Sequence, residues 1–330
     1  MVSYRITEAD LTTATFGISV LSETTLSLRA VWRPDVYPHM APWRRPIEPR
    51  LAGLDLEVLL ALVAPDYSTP EFLNPRPVTP STNFDDELST VSRLPARVVD
   101  RDLDDLYPSG RPSALVGPAA RVLERIVRAL EEYWQSCVRP WWSPMHANLS
   151  GDITMRAVTS ARVGLRPMLD DLSPALRFGD GEIHAWNPSG PHFDADARGR
   201  GLVFVPTHFT PHASYPFNAD APPYILYPAL GRGRLDLPAP APQRAVQLLG
   251  TTRATLLMNL REPMSSTTVA ARRRISVSAA NQQLRWLRDV GLVTTIRDGR
   301  SVLYLRTSAA EAVLGDLAPT ATHPAPRTST

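Results

Sequence analysis

The run Ile275-Ser276-Val277-Ser278-Ala279-Ala280-Asn281-Gln282-Gln283-Leu284-Arg285-Trp286-Leu287-Arg288-Asp289-Val290-Gly291 carries the clearest structural signal in this chain. Ala280, Leu284 and Leu287 recur at spacings of four and three, which places them on one face of an α-helix. Ser278 is positioned to open that helix. Gly291 is positioned to end it, because glycine adopts the left-handed conformation past a C-cap without a Cβ clash. The polar side of the segment offers Ser276, Ser278, Ala279, Asn281, Gln282 and Arg285. Residues 292–296 and 301–305 then form two β-like runs around Arg297-Asp298-Gly299-Arg300, and Asp-Gly between such runs signals a hairpin.

Upstream, residues 244–260 read as one helix with Val246, Leu249, Leu256, Leu257 and Leu260 apolar. Ser266 or Thr267 caps a short helix through Val269, Ala270 and Arg273, and Ile275-Ser276 makes a turn. Three helices closed by a basic-tipped hairpin make a winged helix-turn-helix, expected over residues 243–308. A helix fits the major groove of duplex DNA, and donors on its leading turns reach base edges. Asn281 and Gln282 suit adenine; Arg285 suits guanine or phosphate. Arg297 and Arg300 at the hairpin tip would track phosphates or enter the minor groove. Arg272-Arg273-Arg274 reads as a phosphate-contacting patch, against the plainer alternative of a solvated helix end.

Charge supports the same division. The chain carries 35 basic residues, every one Arg, against 33 acids, for a formal net charge of +2. Residues 243–306 hold eleven Arg and three acids, or +8, while the remainder is at −6. A basic module on a mildly acidic body points to a polyanionic partner. The absence of Lys and the 33 prolines read as the codon bias of a GC-rich genome rather than as function.

The segment 275–293 resembles the recognition helix and following strand of ArsR-type bacterial transcriptional regulators. Residues 297–304 resemble their wing. The resemblance covers about a fifth of the chain and implies a DNA-binding, usually dimeric repressor with a ligand-sensing arm. Three departures stand out. Gln282-Gln283 replaces the family's frequent His-His pair. Arg273 and Arg274 occupy turn positions often held by Leu and Gly. The metal-sensing cysteine motif is absent, since the single cysteine, Cys137, lies far outside the module.

At 330 residues the chain is long enough for two domains. The expected class is α+β, with a mostly helical domain and a small antiparallel sheet over residues 1–236, and a Pro/Ala linker at 237–242. After the winged helix comes a largely disordered tail at 309–330. Helices are expected at 21–32, at 55–63, after Asn83, and from 118 to 139. In the last of these Val122, Ile126, Leu130, Tyr133 and Cys137 make one apolar stripe. A further helix runs to about residue 165. Short β runs at 176–178, 183–186, 202–205 and 224–227 follow, the first two joined at Gly179-Asp180-Gly181. Residues 49–55 and 199–206 also resemble the large domain that precedes such a module in some actinobacterial regulators, a domain to which no chemistry attaches.

Other constellations are weaker. His184, His192, His208 and His212 lie within 29 residues, but Pro206 and Pro211 forbid a regular helix through His208 and His212. Loop histidines without a metal are the plainer reading. Trp134, Trp141 and Trp142, with Tyr133 and His146, would line an effector pocket or fill a core. One cysteine excludes an intrachain disulfide and thiolate zinc sites, and fits a reducing cytoplasm. No apolar run reaches membrane-span length, and neither a Gly-rich phosphate loop nor a Gly-x-Ser-x-Gly elbow occurs. No cofactor, catalytic residue or metal site is expected. The sequence therefore predicts a cytoplasmic transcriptional regulator that is not an enzyme. It would act as a homodimer on a palindromic double-stranded DNA operator and would respond to a small-molecule effector. The alternative is an enzyme, such as a metal-dependent hydrolase, in the first domain, with the winged helix as an accessory.

Overall fold

A computed structural model describes residues 1–77, 82–187, 192–216, 223–232, 243–260, 263–273, 275–298 and 301–314. The chain is mixed helix and sheet and divides into two compact units, Met1–Leu235 and Asp236–Thr330. Among the described residues no helix is long and apolar enough to cross a membrane.

The first unit opens with β1 (Val2–Arg5), α1 (Glu8–Thr12) and β2 (Thr15–Phe16), followed by α2 (Val20–Trp32). Thr7 and Asp10 cap α1 reciprocally, and Ser19 caps α2. Helix α2 is buried nearly all round, including Ser22, Glu23, Thr24, Thr25, Ser27 and Arg29. Buried polar groups persist only where hydrogen bonds replace water. Thus the Thr24 hydroxyl donates to the Val20 carbonyl (2.8 Å), Ser27 meets Tyr133 (2.7 Å), and Glu23 accepts the His208 backbone N–H (3.0 Å).

Around α2 stand α3 (Ala41–Leu51), α4 (Leu56–Ala61), α5 (Phe84–Ser92), α6 (Ala96–Leu106) and α7 (Ala119–Tyr133). Asp55 and Asn83 cap α4 and α5. Helix α3 contains Pro46 and Pro49 and gives no helical signal in sequence; burial of Trp43 and Ile47 offsets the missing amide bonds. Past α7 the helix widens into a π turn at Trp134–Val138, and α8 (Trp142–Val163) and α9 (Leu165–Asp170) follow. The stripe from Val122 to Cys137 is buried throughout.

The single antiparallel sheet expected in this unit is replaced by two sheets. β3 (Leu176–Gly179), β4 (Glu182–Ala185) and β5 (Phe193–Asp196) join β1 in the order β3-β4-β1-β5. β1 runs antiparallel to β4 and parallel to β5, so residues from the chain's start fill the gap between strands from much later. Asp180 and Gly181, both at positive φ (52° and 76°), turn β3 into β4, as a two-residue hairpin loop requires. β6 (Val203–Thr207) and β7 (Tyr224–Pro228) pair in parallel with each other and with β2. The sixteen residues between β6 and β7 suffice for the crossover that parallel pairing demands.

The second unit comprises α10 (Gln243–Leu249), α11 (Thr251–Asn259), β8 (Met264–Ser265), α12 (Ser266–Arg273), α13 (Val277–Asp289), β9 (Val293–Asp298), β10 (Ser301–Arg306) and α14 (Ser308–Leu314). Its sheet is antiparallel in the order β8-β10-β9. Three expectations are corrected here. The helix over 244–260 is broken by Gly250 (φ 77°). The cap of α12 is Ser265, whose Oγ accepts the Thr268 N–H at 3.1 Å. The tail expected from residue 309 begins as α14, because Ala310 and Leu314 are buried with Leu256, Leu257 and Leu284 in one core. The linker at 237–242 and residues 315–330 lie outside the described residues.

Burial pushes the Cys137 thiol up to about 11, so at pH 8 only about one thiol in a thousand is the reactive thiolate. Iodoacetamide should leave the native chain unmodified and label the urea-unfolded chain fully. Rapid labelling of the native chain would show that the α7 face is not closed.

Candidate functional site

Helix α13 is fixed at both ends by local chemistry. Ser276, two residues before the start expected from Ser278, is the N-cap, and its Oγ accepts the Ala279 N–H at 3.1 Å. At the other end the Leu292 N–H reaches the Leu287 carbonyl and the Gly291 N–H reaches that of Arg288 (both 2.9 Å). With Gly291 at φ 75° this is a Schellman closure. Ala280, Leu284 and Leu287 are fully buried.

That burial turns the other side outward. Ser278, Gln282 and Arg285 are exposed and spaced along one face, while Ala279 and Asn281 are half-buried beside them. Ser278, Asn281, Gln282 and Arg285 line one open concavity, together with Arg253 and Asp289 among others. Asp289 is engaged by Arg288 at 3.0 Å. Among the described residues Arg285 makes no ion pair.

Arg253 on α11 had registered in the sequence only as one more positive charge. Its guanidinium carbon lies 3.9 Å from the centre of the Trp286 ring, and its Nε donates to Gln283 Oε1 at 3.0 Å. Two adjacent glutamines therefore differ in role: Gln283 ties α13 to α11, and Gln282 points to solvent with its amide uncommitted. No sequence spacing announces this, because the contact joins two helices across thirty positions.

β9 and β10 pair from Val293↔Arg306 to Asp298↔Ser301. The strands are thus longer than expected, and only Gly299 and Arg300 are left for the turn. Thr294, Thr295, Ile296 and Arg297 are all exposed, on both faces of the ribbon. A strand covering a core would bury alternate side chains; this hairpin projects instead. Arg297 has no ion-pair partner among the described residues. Arg274, Arg300 and the side chain of Arg272 lie outside the described residues. Arg273, the last residue of α12, is half-buried.

No family model, curated protein or solved structure matches this chain. What it does must be argued from the geometry of its own side chains.

In the first unit the four histidines are separately engaged or exposed. His184 Nδ1 lies 2.9 Å from Ser3 Oγ and its Nε2 3.3 Å from Glu182. His208 is fully buried with Nδ1 2.6 Å from Glu23, His212 meets the edge of Trp186, and His192 is exposed. Among the described residues no three His, Cys, Asp or Glu side chains gather as a metal would require. The tryptophans pack as core: Trp134 stacks on Phe84 (4.6 Å, 13°) and meets Trp142 edge-on.

A double-mutant cycle with Arg253→Met and Trp286→Leu, read from amide exchange across α13 in the full chain, should give a coupling of about 0.5–2 kcal/mol. Additive effects would mean the stacked pair contributes nothing beyond its separate packing.

Proposed function

We propose that the second unit is a winged helix-turn-helix and that the chain is a DNA-binding transcriptional regulator of ArsR type. In this reading α12 and α13 form the helix-turn-helix and the β9–β10 ribbon is the wing. The supporting observation is the division of α13. One face is sealed into the core, and the other presents Ser278, Gln282 and Arg285 with no internal partner. A buried charge-free face and an exposed donor face on one thirteen-residue rod suit entry into a major groove. The projecting ribbon with Arg297 supplies a second cationic element for phosphate.

Each donor then has a role. Ser278 and Gln282, near the leading turns, read base edges; Asn281, half-buried, reaches only a close approach. Arg285 binds guanine or phosphate. Arg297 and the Arg272–Arg274 run add affinity through counterion release, which makes binding steeply salt-dependent. Gln283, held by Arg253, orients the helix rather than reading sequence. A homodimer would place two such helices on half-sites about one helical turn apart, on a palindromic operator. The acidic first unit would carry dimerisation and sensing, and no catalysis is assigned to it.

Gln282→Ala and Arg285→Ala should each weaken binding to a selected operator by about 1–3 kcal/mol and binding to random duplex much less. Equal losses on both in gel-shift titrations would refute base readout. Arg297→Ala should weaken both alike and lower the slope of log affinity against log salt by about one. An unchanged slope would remove the wing from the phosphate backbone.

A further inference from the structure

Arg29 sits in the last turn of α2 and is buried, with only 5% of its surface exposed. One terminal nitrogen donates to the Phe209 carbonyl (3.3 Å) and to Ser214 Oγ (3.4 Å), both long contacts. Its Nε has no partner, and no carboxylate among the described residues lies within ion-pair distance. Asp66, whose charge Arg29 feels, is taken up by the backbone N–H and hydroxyl of Ser68. A guanidinium stays charged at any ordinary pH, and a buried charge without a counter-ion is costly.

The same side chain lines a cavity that is partly open to solvent. Leu26 and Leu226 supply apolar wall, and Thr69, Ser214 and Tyr224 supply hydroxyls. Asn74 contributes a second orphan. Its amide nitrogen donates to Thr69 and to the Pro70 carbonyl, which leaves its buried Oδ1 as an acceptor with no donor. One cavity thus holds a cationic donor lacking an anion and an acceptor lacking a hydrogen. The free space is about 30 Å³, which holds about two waters or one carboxylate with a short substituent.

We propose that this cavity binds a small carboxylate carrying a hydrogen-bond donor beside it, a short-chain 2-hydroxy or 2-amino acid. The carboxylate pairs with Arg29 and the neighbouring O–H or N–H donates to Asn74 Oδ1. Glu71 also lines the cavity, so a second negative charge on the ligand is repelled and monoanions are preferred over phosphate or dicarboxylates. A short aliphatic tail lies against Leu26 and Leu226. The site stands independently of the DNA reading, because it is tested with no DNA present.

The test is calorimetry on the full chain with L-lactate, L-alanine, propionate, L-lactamide and inorganic phosphate, each up to about 10 mM. Saturable binding of lactate or alanine is expected, and which of the two binds tells hydroxyl from ammonium. Propionate should bind about tenfold more weakly, the loss of one buried hydrogen bond, and lactamide and phosphate not measurably. No saturable heat from either acid, or equal affinity for propionate or phosphate, overturns the proposal. Arg29→Gln should abolish binding. If that variant fails to fold by circular dichroism, Ser214→Ala, which removes one of the two contacts orienting the guanidinium, should weaken binding severalfold; unchanged affinity in a folded variant overturns the role of Arg29.

Discussion

Ala280, Leu284 and Leu287 can enter the core of the second unit together in only one rotation of α13, and that rotation settles everything the helix shows to solvent. The cost of exposing any one of them is large against the stability of a unit this small. Ser276 and Gly291 set the length of the rod, the first by taking up an orphan amide and the second by turning the chain sharply into β9. The ribbon then returns through β10 to pair with β8, and α14 closes the core behind it. A polar face held this firmly is preorganised, because the groups that would contact a partner need little further ordering.

Charge is distributed to match. Residues 243–306 carry +8 while the rest of the chain carries −6, so attraction to a polyanion is concentrated on the unit with the projecting ribbon. Within that unit the arginines are not equivalent. Arg253 is stacked on Trp286 and Arg288 is paired with Asp289, whereas Arg285 and Arg297 remain exposed without ion pairs among the described residues. Counting charges overstates the cations available to a ligand; geometry divides them into those that hold the unit together and those that face outward.

The first unit follows a different logic. Its central helix α2 is rich in Ser, Thr, Glu and Arg yet buried, so its polar atoms must be satisfied from distant segments. Glu23 is met by His208, Ser27 by Tyr133, and the α2 N-terminus by Glu87, which accepts the Leu21 N–H. Asp152 is likewise met by Tyr227 and by the Leu230 N–H, and burial holds its carboxyl above the usual carboxylate range. Arg29 and Asn74 are where this matching is incomplete, and both line the same cavity.

Periodicity and caps are local signals. The α7 stripe, the Asn83 cap, the Asp180-Gly181 turn and the α13 face with its Gly291 stop were all legible from the order of residues, because each depends on neighbours a few positions apart. The tertiary structure alone decided the pairing of β1 between β4 and β5, the parallel β6–β7 pair and a helix through Pro46 and Pro49. It alone also decided the contact of Arg253 with Trp286 and the meeting of Arg29 with Asn74. These join residues tens of positions apart, where contact is set by which buried surfaces fit together and which polar atoms find partners. A chain's pattern can say which face of an element is buried, but only packing says against what.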